Sequence, residues 1–178
     1  MRIEPARRRA WPLAALWIAH GALALLAFSR LPDRIPVHFD YQGRPDAWSG
    51  ASLVEWMLIW LISGALGALV ALAAAAIHRL PARWLSLPRK EEFLALPPER
   101  RARVLDAVAF HTLLIGGTVM GVMAAIHAAA ALPALGLTER FPTELVWIAL
   151  AVVFLETGIF IARLSALVAR EVREQRRG

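Results

Sequence analysis

The sequence predicts an all-α integral membrane protein: four transmembrane helices, with a compact extracytoplasmic loop after the first. Three observations carry this. Hydrophobic residues make up 58% of the 178-residue chain, above the roughly 45–50% of a soluble domain. They fall into four blocks, each long enough for the roughly 20 residues that a bilayer crossing needs. The basic residues, which leave a net charge of +6, gather at the ends of those blocks. That is the pattern of membrane topology, so no direct nucleic-acid contact is expected.

The four spans cover residues 11–29, 52–77, 104–132 and 144–167. Along a soluble helix polar residues would recur every three or four positions, yet "LISGALGALVALAAAAI" (residues 61–77) holds a single serine. The chain thus reads as one membrane domain, residues 1–178. It has a first helical hairpin (11–77) with a loop at 30–50, a cytoplasmic loop (79–103), a second hairpin (104–167) and a basic tail (168–178). The first span follows Arg7, Arg8 and Arg9 but is long for a signal peptide, and "AFSRLP" offers no small-residue cleavage site, so it is expected to be retained.

Orientation follows from the basic residues. Arg2, Arg7, Arg8 and Arg9 precede the first span. Arg79, Arg83, Arg89, Lys90, Arg100, Arg101 and Arg103 lie in the middle loop, and Arg170, Arg173, Arg176 and Arg177 in the tail. Only Arg30, Arg34, Arg44 and Arg140 lie on the other side. The positive-inside rule places both termini and the middle loop in the cytoplasm. Trp11 and Trp84 then mark the inner interface, and Trp48, Trp56 and Trp147 the outer one.

The extracytoplasmic segment "RLPDRIPVHFDYQGRPDAWSG" (residues 30–50) belongs to no span. Pro32 and Pro36 force extended backbone at Leu31 and Ile35. Ile35, Val37 and Phe39 alternate with polar residues as in a short strand with one apolar face. Gln42–Gly43 supplies a turn, and Pro45–Trp48 returns the chain to the membrane. Ser52 and Glu55 form a capping box for the second span. Leu31, Pro32, Asp33, Ile35, Pro36, His38, Phe39, Gly43, Pro45, Asp46 and Trp48 together resemble the signature of the bacterial membrane family called domain of unknown function 1648. The resemblance runs over about residues 11–77. The same domain begins SdpI-like proteins, so it implies a role in toxin immunity or membrane signalling. The C-terminal motif of those proteins, similar to Ile-Gly-Ile-Arg-Thr-Pro-Trp, has only a faint echo here in "TGIFIARLS" (residues 157–165).

Ionisable residues at mid-bilayer cost about 2.5–3.5 kcal/mol each on insertion scales and need a reason. His20 and Glu156 fall near the centres of the first and last spans, so a His20–Glu156 hydrogen bond is expected, with His111 the next partner for Glu156. His127 lies near the outer end of the third span. His127, Glu55 and His38, with Asp40 and Asp46 nearby, are zinc-ligand types, but their spacing matches no motif and no metal is expected. His78 suits a helix C-terminus. Two stripes, Gly117-x3-Gly121-x3-Ala125 and Ser63-x3-Gly67-x3-Ala71, offer close helix approach, within the bundle first and in a homodimer second. In the cytoplasmic loop, Phe93 and Leu94 are expected to face lipid, Pro98 to open the third helix, and the arginines there and in the tail to hold anionic headgroups.

The absence of cysteine excludes disulfides, thiolate metal sites and thiol catalysis. No phosphate loop, H-E-x-x-H or G-x-S-x-G occurs. The expectation is a non-enzymatic membrane protein without cofactor that senses or binds something. Its partners would be the lipid bilayer and a peptide toxin or cytoplasmic regulator. A small transporter or transporter subunit using His20 and Glu156 is the alternative.

The topology is directly measurable. Cysteines introduced at Gln42 and Gly136 react with an impermeant thiol reagent outside intact cells, and one at Glu91 does not. Labelling at Glu91 alone reverses the orientation.

Overall fold

Residues 4–177 are described by a computed structural model, with side chains from Ala10 onward. Arg2, counted above with the N-terminal arginines, lies outside them. The elements are α1 (Glu4–Phe28), β1 (Arg34–Phe39), β2 (Pro45–Gly50), α2 (Leu53–Trp56), α3 (Leu58–Ala76), α4 (Lys90–Ala95), α5 (Pro98–Ala134) and α6 (Glu144–Arg177). Short 3₁₀ turns at Ile77–Arg79 and Ala82–Trp84 follow α3. Among the described residues four stretches are long and apolar enough to cross a membrane: Ala10–Phe28, Leu53–Arg79, Pro98–Ala134 and Glu144–Arg177. The molecule is a multi-pass membrane protein with a two-stranded hairpin at one end and the linker, residues 77–97, at the other.

Ser52 caps the second span, its Oγ accepting the Glu55 N–H at 3.4 Å, but only this half of the expected capping box forms among the described residues. Met57 separates the single turn of α2 from α3. Pro98 occupies the first turn of α5, where a missing N–H costs nothing. At about 1.5 Å per residue, α5 and α6 run about 50–55 Å. That exceeds a hydrocarbon core of about 30 Å, so both helices project beyond it.

Helices α1, α3 and α5 pack together, while α6 lies on α5 and α4. The α1–α3 contact is built on two tryptophans. The Trp17 and Trp60 rings stack with centroids 4.4 Å apart and planes 5° from parallel. Each indole donates to the other's backbone carbonyl, Trp17 Nε1 to Trp60 O at 3.0 Å and Trp60 Nε1 to Trp17 O at 2.9 Å. Trp60 lies on Gly21 and Trp17 on Gly64, each glycine one turn after the other tryptophan. A Cβ at either glycine would enter the indole, and its absence bares the carbonyl four residues earlier to a second donor. One turn from Trp60, Trp56 Nε1 donates to Ala24 O at 2.9 Å. Trp56 is therefore buried between helices rather than marking an interface, because its N–H finds a carbonyl on α1. Trp11, Trp84 and Trp147 are exposed, as interface residues are.

The small-residue stripe on α3 is used: Ser63 and Gly67 are buried, and Met120 of α5 fills the space over Gly67. On α5 the close approach is one residue away from the expected stripe. Gly116 meets Val70, whereas Gly121 faces open space. Met120 takes the place where α3 offers no side chain, and that rotates Gly121 off the interface.

The linker end has its own core of Ile77, Phe93, Leu96, Val104, Val108, Leu164 and Val168. Phe93 is fully buried there and does not face lipid, because α4 folds back onto α6. Leu94 packs against the same core. Glu171, buried beyond the apolar part of α6, accepts from Arg100 Nη1 at 3.0 Å and from Arg103 Nε at 2.9 Å. Arg170 bonds Glu174 at 2.8 Å. These three arginines thus serve protein carboxylates rather than headgroups. The Arg103 hydrogen bond holds the Glu171 carboxyl below the usual carboxylate range, against the opposing effect of burial. Stability from this network is complete above the unfolded value of about 4.3 and is lost as pH falls through the lowered folded value. His78 reaches Asp106 at 3.2 Å, a partner on α5 in addition to its helix end.

At the other end, β1 and β2 pair antiparallel, with Arg34 opposite Gly50, Pro36 opposite Trp48 and Phe39 opposite Pro45. The second strand goes beyond the expected return segment. The register shifts between Pro36 and His38, a bulge at Val37 that turns it outward, 52% exposed, while Ile35 is buried.

A cavity-free test separates the tryptophan contact from generic glycine packing. Gly64→Ala lowers the stability of the purified protein in detergent by about 1–3 kcal/mol, the usual cost of overfilling a packed site, and shifts tryptophan emission to the red. Gly121→Ala leaves both unchanged. Equal effects of the two substitutions would show that the indole contact is not what holds α1 to α3.

Candidate functional site

Most signature residues build the hairpin and its seat. Leu31 and Ile35 pack on the core with Ala24, Trp56, Met57 and Ala131. The Asp33 carbonyl closes the base of the hairpin by accepting the Ala51 N–H at 2.9 Å. Asp40 Oδ1 accepts the N–H groups of Gln42 and Arg44, each at 2.8 Å, which shapes the tip. Gly43 has φ +80°, where a side chain is strained. It is also packed against the Phe141 carbonyl, while its own carbonyl accepts the Phe141 N–H at 2.7 Å. Phe39 meets the Phe141 ring with centroids 5.4 Å apart. The hairpin is thereby docked on the α5–α6 connection. Pro32 is exposed and Trp48 half-exposed across from Pro36, so Trp48 contributes less to this docking than Phe39 does.

His38 Nδ1 and Asp46 Oδ1 are 2.6 Å apart across the strands, both exposed. His127 is 3% exposed and lies in the bundle. Among the described residues no three His, Cys, Asp or Glu side chains gather as metal ligands would.

Under the docked hairpin lies a cleft of about 590 Å³. Pro36, Phe39 and Phe141 border it from the cap, Trp56 and Glu55 from the start of the second span, and His127 from α5. Glu55 is the only ionised group among the described residues lining it.

His127 belongs to a buried pair. His20 Nε2 and His127 Nδ1 are 3.0 Å apart, with the rings edge to face, and Trp56 packs on His127 at 4.6 Å. The expected His20–Glu156 hydrogen bond does not form. α1 packs on α3 and α5, whereas α6 packs on α5 and α4 and has no extensive contact with α1. Depth differs as well. His20 is eight residues from the hairpin end of α1, about 12 Å, and His127 is seven from the end of α5, about 10 Å, but Glu156 is twelve from Glu144, about 18 Å. Spans of unequal length make midpoints a poor guide to level. Nor does His111 show a bond to Glu156: its Nδ1 donates to Ala107 O at 2.8 Å and its ring stacks on Phe160 at 4.9 Å. Glu156 Oε2 is buried with no partner among the described residues.

Within the histidine pair, one ring donates and the other accepts. Neutral imidazole carries one N–H and one lone pair. Whichever tautomer holds, the outer nitrogens, His20 Nδ1 and His127 Nε2, comprise one donor and one acceptor. Both are buried and neither has a partner among the described residues. The arrangement can bind hydrogen-bonding groups. Trp17, Trp60 and Phe141 help to position this site although no expectation from the sequence names them. The repeated Trp-x3-Gly of residues 17–21 and 60–64 was a readable signal for the first two; nothing in the sequence singles out Phe141.

The pair is measurable by a double-mutant cycle of His20→Leu and His127→Leu. The expected coupling is about 0.6 kcal/mol and at most about 1.7 kcal/mol, as for other membrane hydrogen bonds. A cycle of His20→Leu with Glu156→Gln gives none. The reverse ranking restores the His20–Glu156 contact.

Comparison with curated proteins and with solved structures finds no match. Residues 15–62, which hold Trp17, His20, Gly21, the hairpin, Trp56 and Trp60, match the family model described as a domain of unknown function, DUF1648, and the chain carries that domain in its first helical hairpin.

Proposed function

We propose that this is a non-enzymatic inner-membrane protein that recognises an amphipathic, cationic ligand, such as a peptide, in the cleft beneath its hairpin. The hairpin end is extracytoplasmic, in keeping with the distribution of basic residues. The observation that carries the reading is the cleft itself: apolar and aromatic walls, a buried histidine, and Glu55 as its one ionised group among the described residues. Such a site favours an apolar body beside an ammonium or guanidinium, which the carboxylate attracts and the faces of Trp56, Phe39 and Phe141 accommodate. Occupancy by a membrane-active peptide is the chemistry that immunity or signalling requires, and the likeness of the signature loop to SdpI-like proteins supports that role. Transport through His20 and Glu156 has less support, because the two sit on helices that share no extensive contact.

The test uses the full chain in nanodiscs of zwitterionic lipid, with a benzophenone-bearing peptide of leucine and lysine as probe. Cross-links fall on residues 35–39, 55–59 and 126–130. Glu55→Gln weakens binding about tenfold, equivalent to about 1.4 kcal/mol, and a leucine–serine peptide binds the two proteins equally. Cross-links spread over α6, or binding indifferent to Glu55, overturn the proposal.

A further inference from the structure

A second cavity, of about 210 Å³, lies between α1 and α5. Ala24 and Ala27 on one helix and Ala124 and Ala128 on the other line it, small side chains that leave space instead of closing it. Its rim is exposed at Leu23, 66% accessible, and at Ala128. At about 8–9 Å below the hairpin ends of the helices, that rim meets the acyl chains of a bilayer. Lipid alone would account for an apolar groove. It does not account for the two histidines.

His20 and His127 both line the groove, 4% and 3% exposed. Each has one nitrogen engaged in the bond between them and one without a partner among the described residues. A buried polar atom in hydrocarbon carries a desolvation cost that a ligand group of matching polarity removes. A hydroxyl is both donor and acceptor, so it satisfies whichever of these nitrogens it meets, in either tautomer of the pair. The other polar classes fit less well. No ionised residue is among the described residues lining the groove, so an ammonium, carboxylate or phosphate would enter without a counter-charge.

We propose that the groove between α1 and α5 is a binding site for a slender apolar alcohol, an alkyl or prenyl chain with one hydroxyl, taken from the membrane and held by the His20–His127 pair. The hydroxyl bonds a free histidine nitrogen and the chain lies along the alanines. This site is separate from the cleft and stands whether or not the cleft takes a cationic ligand. His127 borders both cavities, so a ligand in either one bears on the same imidazole.

The experiment compares two photoactivatable probes on the full chain in phosphatidylcholine nanodiscs: a diazirine-bearing octanol and the corresponding octane without the hydroxyl. The alcohol labels peptides spanning residues 20–28 and 124–131 at least fivefold over the alkane, while both label the exposed face of α6 alike. His20→Leu reduces alcohol labelling of the groove to the alkane level, and Ala128→Phe, at the exposed rim, blocks both probes there. Equal labelling of the groove by alcohol and alkane in the unsubstituted protein overturns the proposal, as does alcohol labelling untouched by His20→Leu. Should His20→Leu fail to fold, the alcohol-to-alkane ratio and Ala128→Phe decide the question, with competition by unlabelled octanol as the readout.

Discussion

The contact between Trp17 and Trp60 is the interaction on which the rest of the bundle depends. In lipid there is no hydrophobic force between helices, so association rests on close packing and hydrogen bonds. Here both are met in one exchange: stacked rings and two indole-to-carbonyl bonds at 3.0 and 2.9 Å, made possible by glycines that bare the carbonyls. Because the exchange is reciprocal, it sets the level of α1 against α3 to within a fraction of a turn. A slip by one turn would lose both bonds and leave two indole N–H groups unpaired in hydrocarbon, where unsatisfied donors are costly.

That register has consequences on the same helix faces. Trp56 comes level with Ala24 and donates to its carbonyl, and His20 comes level with His127 across the α1–α5 contact. The packing of Trp56 on His127 joins the two relationships. The α1–α3 contact thus sets the level of His20, and the packing of α5 on both helices brings His127 to it. At the hairpin end the same economy holds. Gly43 is needed for its positive φ and for its closeness to Phe141, and this contact joins the Phe39–Phe141 and Ile35 packing in holding the cap over the cleft.

The polar groups in the bundle are unevenly satisfied. Glu171 is surrounded by arginine donors, as a buried carboxylate should be. The histidines satisfy only half their capacity, and a half-satisfied polar network in a low dielectric is unfavourable unless something completes it. That contrast is what separates a structural ion pair at the linker end from a site near the hairpin end.

Much was legible in the sequence because it depends on local chemistry. Length and composition determined four membrane helices. The prolines, the alternation from Ile35 to Phe39 and the Gln42–Gly43 turn determined a strand and its reversal, and Ser52 and Pro98 determined where two helices begin. What the sequence could not determine were the partners of groups that point across the bundle. His20 meets His127 and not Glu156, Phe93 is buried and not in lipid, and Gly116 and not Gly121 takes the close contact. Each of these depends on which helices are neighbours and on their rotation and level. Only the tertiary structure decides that, because an all-apolar helix in an apolar solvent has no amphipathic face to say which side turns inward.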